Sequence, residues 1–425
     1  MIEYDVANTP IVDLVNQIIV YAVKQKASDI HFDPEEKYVK VRIRIDGLLK
    51  NHAKIPKEFE RNIATRIKLM AGMNITENRL PQDGAIKNTI AGLDLDMRVA
   101  ALPTSHGEKI VIRILDYTRS LKGLGSLGFT KKNFDKLQTM MKVPNGIILV
   151  TGATGSGKST TVYSILQELN SEGTNIITVE DPIEMDIEGI NQVQVNSEIG
   201  LDFARVLRSA LREDPNIILI GEIRDSETAK IAVRASITGH LVLSTLHTND
   251  SLTTIERLLD MDVERYLLAS ALTGVISQKL VRNLCTQCRQ LDETTDYEKE
   301  VFRRILKVNV PKIYKPKGCS NCINGYRGRT ALQEVLPINE NIRDLIADEN
   351  VSKEMLRNAI YKSEVTTMIQ DGLEKVLMGI TSFDEVYKAI AIDDELDNYV
   401  QREMLLTENE IPKINSQIKK DTEFL

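Results

Sequence analysis

The stretch GATGSGKS at residues 152–159 decides how this chain folds. It matches the pattern G-x-x-x-x-G-K-[S/T], whose glycines let the backbone wrap around phosphate oxygens with its N–H groups pointing inward. The apolar run IILVT precedes the motif, and the helical pattern STTVYSILQEL begins at its last residue. This strand–loop–helix context argues against the alternative, a chance glycine-rich turn. The sequence therefore predicts a nucleotide-phosphate loop.

Each residue type in this loop has a predicted contact. Lys158 is predicted to reach the β- and γ-phosphates, and Ser159 is predicted to ligate magnesium. The N-terminus of the following helix adds a dipole that favours an anion. The other predicted nucleotide contacts come from Gly152, Thr154, Gly155, Ser156, Gly157 and Thr160. The predicted ligands of the loop are thus ATP and Mg²⁺.

Four short apolar runs around the loop predict a parallel β-sheet covered by helices. They are residues 147–150, 176–179, 217–220 and 241–244, and the segments between them are long enough for helices. The third run shows no alternation with polar residues, which is typical of a parallel strand buried on both faces. The repeated pattern predicts an α/β fold.

Acidic residues follow the second and third runs. Glu180, Asp181 and Glu184 leave the carboxyl end of the second run, where ligands of parallel sheets bind; a solvated acidic loop is the alternative. The third run ends in Gly221 and Glu222, whereas many nucleotide hydrolases carry an Asp and a second acid there. The residue that activates water is therefore not fixed by this strand alone.

Two histidines, His240 and His247, bracket the fourth run. A histidine at a strand end is often a structural hydrogen-bonding group rather than a catalyst. His247 is the better functional candidate because it lies at the carboxyl end of the strand.

Composition limits the classes of function. The chain has 425 residues with 42% apolar and 27% charged residues, as in a globular protein of two or three domains. Its net charge of −7 gives no electrostatic case for nucleic acid. No apolar run approaches the length of a membrane-spanning helix, and the N-terminus lacks the pattern of a signal peptide. We therefore expect a cytosolic protein.

The four cysteines form the pairs CTQC and CSNC, at Cys285, Cys288, Cys319 and Cys322. Four thiolates in two C-x-x-C pairs suit tetrahedral Zn²⁺. Two reduced pairs with packing roles are the alternative, and no thioredoxin-like context favours a redox role. Because residues 285–300 have little apolar content, we expect a metal to hold this segment onto the core.

The N-terminal third has mixed α and β patterns. Residues 10–23 have a helical apolar face, and residues 37–45 alternate strictly before a hairpin signal at Asp46 and Gly47. A helix around residues 58–73 and two further strand-like runs, 93–104 and 107–115, follow. These patterns predict a separate α+β domain.

Several motifs together resemble the secretion ATPases of the type II secretion and type IV pilus systems. They are the phosphate loop, EDPIE (180–184), LRSALREDPNIILIGEIRD (207–225) and TGHLVLSTLHTN (238–249). ASDIHFDP (27–34), RLPQDG (79–84) and MRVAALPTSHGEKIVIRIL (97–115) resemble the domain that precedes the core in that family. The resemblance implies an α/β fold with a RecA-like P-loop core, a smaller α+β (PAS-like) domain before it, a zinc-binding insertion and a helical C-terminal region.

The implied domain boundaries follow from this resemblance. They are an N-terminal α+β domain (1–118), a linker (119–128), a RecA-like ATPase core (129–283), a tetracysteine zinc-binding subdomain (284–325), a helical C-terminal region (326–395) and a polar tail (396–425). The glycine-rich stretch LKGLGSLG at 121–128 is the sequence feature that marks the linker.

The resemblance implies roles for residues of the core. It makes Glu184 the catalytic base and Glu222 the carboxylate that holds magnesium through water, since the family's strand ends in Gly-Glu as a rule. His240 and His247 belong to the family's histidine box, with His247 as the γ-phosphate sensor.

The resemblance also implies roles for arginines of the N-terminal domain. Arg98 and Arg113 match arginines that contact the nucleotide phosphates when that domain closes over the core, and Arg79 is expected to join them. By charge alone, all three are compatible with ordinary surface residues.

Further implications concern partners. The resemblance implies a homohexamer at the cytoplasmic face of a membrane, acting on a polytopic inner-membrane platform protein to assemble a pilus or pseudopilus. The cysteine module favours assembly or secretion, because retraction ATPases of the family typically lack it. Only nine residues precede Pro10, whereas assembly motors often have a further N-terminal domain, so a pilus retraction ATPase stays an alternative. A RecA-like nucleic-acid translocase is a second alternative, disfavoured by the acidic balance.

Overall fold

The computed structural model describes residues 4–5, 8–115, 123–363 and 365–391. The chain divides into two compact units, Met1–Ser120 and Leu121–Leu425. The predicted polar tail, the last four residues of the predicted helical region and residues 116–122 around the predicted linker lie outside the described residues.

The first unit is a six-stranded antiparallel sheet packed with two helices. Strand order is β3-β2-β1-β6-β5-β4. Strand β2 buries Val39, Val41 and Ile43 and leaves the alternate residues partly exposed, as its period-2 pattern predicts. Asp46 and Gly47, with φ of 49° and 87°, form the predicted hairpin turn. The elements are α1 (Ile11–Lys24), β1 (Asp29–Pro34), β2 (Tyr38–Ile45), β3 (Leu48–Pro56), α2 (Glu60–Met70), β4 (Gln82–Ile90), β5 (Leu93–Thr104) and β6 (Gly107–Leu115).

The second unit is built on a seven-stranded sheet of order β15-β12-β7-β11-β10-β8-β9. The four predicted runs are strands β7, β8, β10 and β11, which are buried throughout and pair in parallel. The α/β fold class is confirmed. The strands are β7 (Gly146–Thr151), β8 (Ile176–Glu180), β9 (Asn191–Gln194), β10 (Ile217–Ile220), β11 (Leu241–Leu246), β12 (Leu272–Leu284) and β15 (Tyr326–Pro337), with a separate pair β13 (Gln290–Glu293) and β14 (Lys312–Lys315).

Helices accompany the strands of this sheet along the chain. Apolar residues of the parallel strands and of their helices form one core, which extends to the helices after β15. The helices are α3 (Lys131–Met141), α4 (Lys158–Leu169), α5 (Phe203–Ala210), α6 (Ser226–Ile237), α7 (Ser251–Asp260), α8 (Arg265–Ala271), α9 (Asp296–Ile305), α10 (Glu340–Ala347), α11 (Lys353–Lys362), α12 (Met368–Leu377) and α13 (Phe383–Ala391). In the described ranges, none of the helices has the length and apolarity needed to cross a membrane.

The prediction that residues 326–395 are helical is wrong at its start. Tyr326–Pro337 is a strand of 12 residues that pairs antiparallel with β12 and completes the core sheet. Its segment TALQEVL contains good helix formers, and pairing with a long buried strand overrides that local preference. Helices begin only at Glu340, and from there the helical prediction is confirmed as far as Ala391.

The glycine-rich stretch predicted as a linker is partly folded. Leu124–Ser126 forms a 3₁₀ turn, and the side chain of Leu124 is buried. Gly128 has a φ of 80° and packs so closely on Thr330 that a side chain would collide with it. Residues 124–128 are therefore packed into the second unit, to which they belong.

Candidate active site

The phosphate loop joins the carboxyl end of β7 to the first turn of α4. Its glycines at 152, 155 and 157 have φ values of 146°, 79° and 88°, a backbone region that favours glycine. A side chain at position 152 would collide with the Gln278 carbonyl and the Ser156 side chain. Close packing and backbone conformation thus both require glycine there.

The loop offers a cation and an unsatisfied hydroxyl to an anion. Lys158 Nζ donates to the carbonyl oxygens of Gly152 at 2.9 Å and Ala153 at 3.3 Å. Burial lowers the pKa of Lys158, and the nearby Glu222 carboxylate acts in the opposite direction. The buried Ser156 hydroxyl has no hydrogen-bond partner among the described residues, so a phosphate oxygen would satisfy it. The predicted contact residues with exposed or partly exposed side chains are Thr154, Ser159 and Thr160.

Gln278, on strand β12, braces the loop from the neighbouring strand. Its side-chain amide donates to the Ser156 carbonyl at 2.8 Å, and its side-chain oxygen accepts from the Thr161 hydroxyl at 2.9 Å. The residue is buried, so both bonds are shielded from water. Sequence reasoning missed Gln278 because no motif around the loop points to a residue 117 positions from Thr161.

Glu222 and His247 follow adjacent parallel strands and meet at the same edge of the sheet. His247 Nε2 lies 3.3 Å from Glu222 Oε2, and Arg224 donates to Glu222 Oε1 at 2.5 Å. The hydrogen bond from Arg224 lowers the pKa of Glu222 despite partial burial, and its charge and that of His247 contribute. Glu222 is thus ionised at neutral pH, as a carboxylate that orders magnesium-bound water must be. Arg224, also 3.8 Å from Asp181, was missed by the sequence reasoning, although it lies two positions after Glu222.

The three carboxylates at the end of β8 and in the acidic loop that follows differ in solvent exposure. Glu180 is 3% exposed, and its carboxylate accepts hydrogen bonds inside the protein. Asp181 is exposed, and Glu184 is partly exposed. The backbone N–H of Glu184 donates to the Tyr163 hydroxyl of α4 at 3.1 Å, which ties the loop to the helix that begins at Lys158.

The structure does not bring His240 to the phosphate loop. Its carbonyl accepts from Gly146 N at the start of β7, whereas the loop begins at the other end of that strand. Six residues at ~3.3 Å each separate the two ends by roughly 20 Å. The His240 ring instead contacts the Ala235 carbonyl at 2.9 Å, near the end of α6. The prediction that His240 binds nucleotide is therefore wrong for the loop of its own chain.

The three predicted arginines all lie in the first unit. Arg98 and Arg113 are register partners on β5 and β6, and Arg113 Nε donates to Asp29 at 3.1 Å while its side chain stays 64% exposed. Arg79 is paired with Glu77 at 2.8 Å and is also largely exposed. Their contact with nucleotide stays a prediction.

The four cysteines form one cluster. Cys285 lies 3.9 Å from Cys319, Cys288 lies 3.7 Å from Cys322, and Cys319 lies 3.6 Å from Cys322, measured between Sγ atoms. All four Sγ atoms lie within 4.8 Å of one another, and no disulfide joins them. Tetrahedral zinc with bonds of about 2.3 Å requires sulfur–sulfur distances of about 3.8 Å. The cluster therefore fits a zinc ion held by these four thiolates.

The segment between the cysteine pairs also has apolar contacts of its own. Val301, Phe302 and Ile305 of α9 are buried in a cluster with Leu373 and Val376 of α12. These apolar residues follow the polar stretch 285–300, and the expectation that a metal holds that stretch onto the core stays a prediction.

A family model described as "Type II/IV secretion system protein" matches residues 5–388. The chain is 45% identical over 383 residues to the type II secretion system ATPase E of Vibrio cholerae serotype O1, covering 90% of this chain and 75% of that protein. It is 46% identical over 380 residues to the putative type II secretion system protein E of Escherichia coli K12, covering 89% and 76%.

Two solved structures are similar in fold. The pilus retraction motor PilT with bound ADP has a TM-score of 0.61 and 27% identity, with 90% of this chain and 98% of that chain covered. The Legionella pneumophila ATPase DotB has a TM-score of 0.67 and 23% identity, with 89% and 95% covered, which is a likeness of fold alone.

Proposed function

The chain belongs to the type II/IV secretion system protein family and is an ATPase, and from this premise we propose that it powers pseudopilus assembly in a type II secretion system. The observation that carries the proposal is the 45% identity with a type II secretion ATPase over nine-tenths of this chain. Assembly of a type IV pilus is the second candidate, and the resemblance found in the sequence motifs supports it equally.

In this proposal the second unit binds MgATP at the phosphate loop. Lys158 and the loop N–H groups hold the phosphates, while Ser159 and Glu222 hold the magnesium shell. Bound MgATP supplies the phosphoanhydride bond that water cleaves. Glu184 accepts the proton of that water, and His247, hydrogen-bonded to Glu222, contacts the γ-phosphate side.

The proposal extends to partners and to the first unit. Arg98, Arg113 and Arg79 contact the phosphates when the first unit closes, and six copies form a ring at the cytoplasmic face of the membrane. A polytopic platform protein receives the motion, and no nucleic acid is involved. The exposure of the Arg113 side chain supports its assignment to the phosphates, and the net charge of −7 supports the assignment that no nucleic acid is involved.

The experiment on the base compares Glu184→Gln with Glu188→Gln, an exposed glutamate of the same loop. A positioned base contributes roughly 10²–10⁴ in rate, so Glu184→Gln is expected to bind ATP and to lose most turnover. Glu188→Gln is expected to turn over normally. Near-normal steady-state turnover in Glu184→Gln would remove that residue from the role of base.

A clean deletion in the native host tests the direction of transport. Loss of the secreted substrate, restored by the wild-type gene and not by Glu184→Gln, is expected. Loss of surface pili instead would identify the pilus assembly motor. Abundant but immobile pili would identify a retraction motor and overturn the proposal.

A further inference from the structure

Glu180 is a carboxylate buried at the end of strand β8, with 3% of its surface exposed. A buried charge is costly unless hydrogen bonds satisfy it, and three elements supply donors here. The Tyr163 hydroxyl of α4 donates to Oε2. The Thr178 hydroxyl of β8 donates to Oε1 at 2.5 Å, and the Gln192 amide of β9 donates to the same oxygen at 3.1 Å. These three hydrogen bonds hold the Glu180 carboxylate in one position inside the second unit.

Tyr163 connects the Glu180 carboxylate to the phosphate-binding helix and to the acidic loop. It lies on the second turn of α4, the helix that begins with Lys158. Its hydroxyl donates to Glu180 and accepts the backbone N–H of Glu184 at 3.1 Å. Burial, followed by the charge of Glu180, raises the pKa of Tyr163, so its hydroxyl keeps its proton and its hydrogen-bond direction.

The far side of the acidic loop is held by the same network. The Gln192 amide that donates to Glu180 also donates to the Met185 carbonyl at 2.9 Å, and its oxygen accepts the Ile187 N–H at 2.8 Å. The backbone is thus held at Glu184 by Tyr163 and at Met185 by Gln192, and both of these side chains also bond to Glu180. Of these two side chains, Tyr163 is the one that belongs to the phosphate-binding helix.

We propose that Tyr163 and Glu180 are positioning residues that fix the Glu184 loop to the phosphate-binding helix and so set the distance from base to γ-phosphate. The inference rests on the proposed role of Glu184. Both side chains are buried, with 3% of their surface exposed, so in this proposal they act on the reaction through Glu184. A misplacement of about 1 Å at a reacting group costs about 10²-fold in rate, which makes such a tie kinetically important.

The variant Tyr163→Phe tests the pair because it keeps the ring and removes the hydroxyl. We expect kcat for MgATP hydrolysis by the full chain to fall about 10–100-fold. We expect KM for ATP to change by less than about threefold, because the residue does not contact the phosphates. An unchanged kcat, or a loss confined to KM, would overturn the inference.

A double variant distinguishes an effect of Tyr163 on the position of Glu184 from a general loss of protein stability. If Tyr163 acts through Glu184, Tyr163→Phe combined with Glu184→Gln is no slower than Glu184→Gln alone. Losses that multiply in the double variant contradict the inference while leaving the role of Glu184 intact. Near-normal turnover in Glu184→Gln alone contradicts the proposed base instead, so the two failures are distinguishable.

Tyr326→Phe is the matched control. It also removes a buried tyrosine hydroxyl, one that contacts Ser382 at 2.8 Å among the C-terminal helices. We expect its kcat to stay within about twofold of wild type at a comparable cost in melting temperature. If Tyr163→Phe does not fold, Glu180→Gln, of nearly equal size, takes its place. The double variant Glu180→Gln with Glu184→Gln must then be no slower than Glu184→Gln alone.

Discussion

The two ends of strand β11 each carry a histidine, and their surroundings differ completely. At the carboxyl end His247 lies 3.3 Å from Glu222, beside the phosphate loop's own strand. At the amino end the ring of His240 contacts the Ala235 carbonyl near the end of a helix. The same residue type thus takes part in a site at one end and in a structural contact at the other.

The difference extends to the neighbouring strands. The carboxyl ends of β7, β8, β10 and β11 lead into the phosphate loop, the acidic loop, Glu222 and His247. Near the amino ends of β8 and β10, the side chains of Asn175 and Asn216 hydrogen-bond to backbone groups. Because all four strands are parallel, position along the strand decides function more than residue type does.

The strongest test of this difference is Lys158→Ala at the carboxyl edge. Removing the buried cation of the phosphate loop is expected to lower kcat/KM for ATP by about 10³-fold or more. Lys132→Ala, an exposed lysine on α3, is the matched control and is expected to have no effect. Steady-state hydrolysis measures both, and substantial activity in Lys158→Ala would contradict the assigned site.

His247→Gln is expected to have the next largest effect. A hydrogen bond involving a charged group is worth about 1.5–3 kcal/mol, which corresponds to a loss of roughly 10–100-fold in kcat. Single-turnover hydrolysis separates this loss from nucleotide binding. If kcat is unchanged, His247 contacts Glu222 without serving the reaction.

Gln278→Leu tests the brace behind the phosphate loop. The Ser156 carbonyl and the Thr161 hydroxyl lose their partner, so we expect weaker nucleotide binding by about tenfold and a lower melting temperature. Titration with a fluorescent ATP analogue measures the affinity. Gln287→Leu, at an exposed position in the first cysteine loop, is the control.

Cys319→Ser is expected to abolish zinc binding and to change ATP turnover by less than about threefold. The apolar cluster around Phe302 is expected to keep the segment folded, although with a lower melting temperature. Metal analysis of the purified protein measures the zinc. A full zinc complement in Cys319→Ser would show that the cluster is not the metal site.

His240→Gln is expected to have the smallest effect. Its ring contacts a backbone carbonyl far from the phosphate loop, so turnover should stay within about twofold of wild type. A loss as large as that of His247→Gln would break the distinction between the two ends of the sheet, and would point to contact between His240 and another copy of the chain.

Much of the core could be predicted because its signals are local. The phosphate loop and the four buried runs lie in short continuous stretches, and the structure has each of them as a strand or turn. The tie between Thr161 and Gln278 spans 117 positions, so no local pattern contains it. Glu180 was grouped with Asp181 and Glu184 because all three are acidic. Only the packing of α4, β8 and β9 shows that it is buried.

Strand β12 has a mechanical consequence. Gln278, which braces the phosphate loop, and Cys285, in the cysteine cluster, are seven residues apart along this strand and its end, roughly 23 Å at ~3.3 Å per residue. An extended strand can lengthen very little. Ten residue pairs join β12 to β15, so a pulling force along β12 would act on those pairs in shear. Strand β12 thus connects the phosphate loop to the cysteine cluster through paired, extended backbone with one shift in register, between Arg282 and Leu284, and a force applied at one end is carried along that backbone to the other.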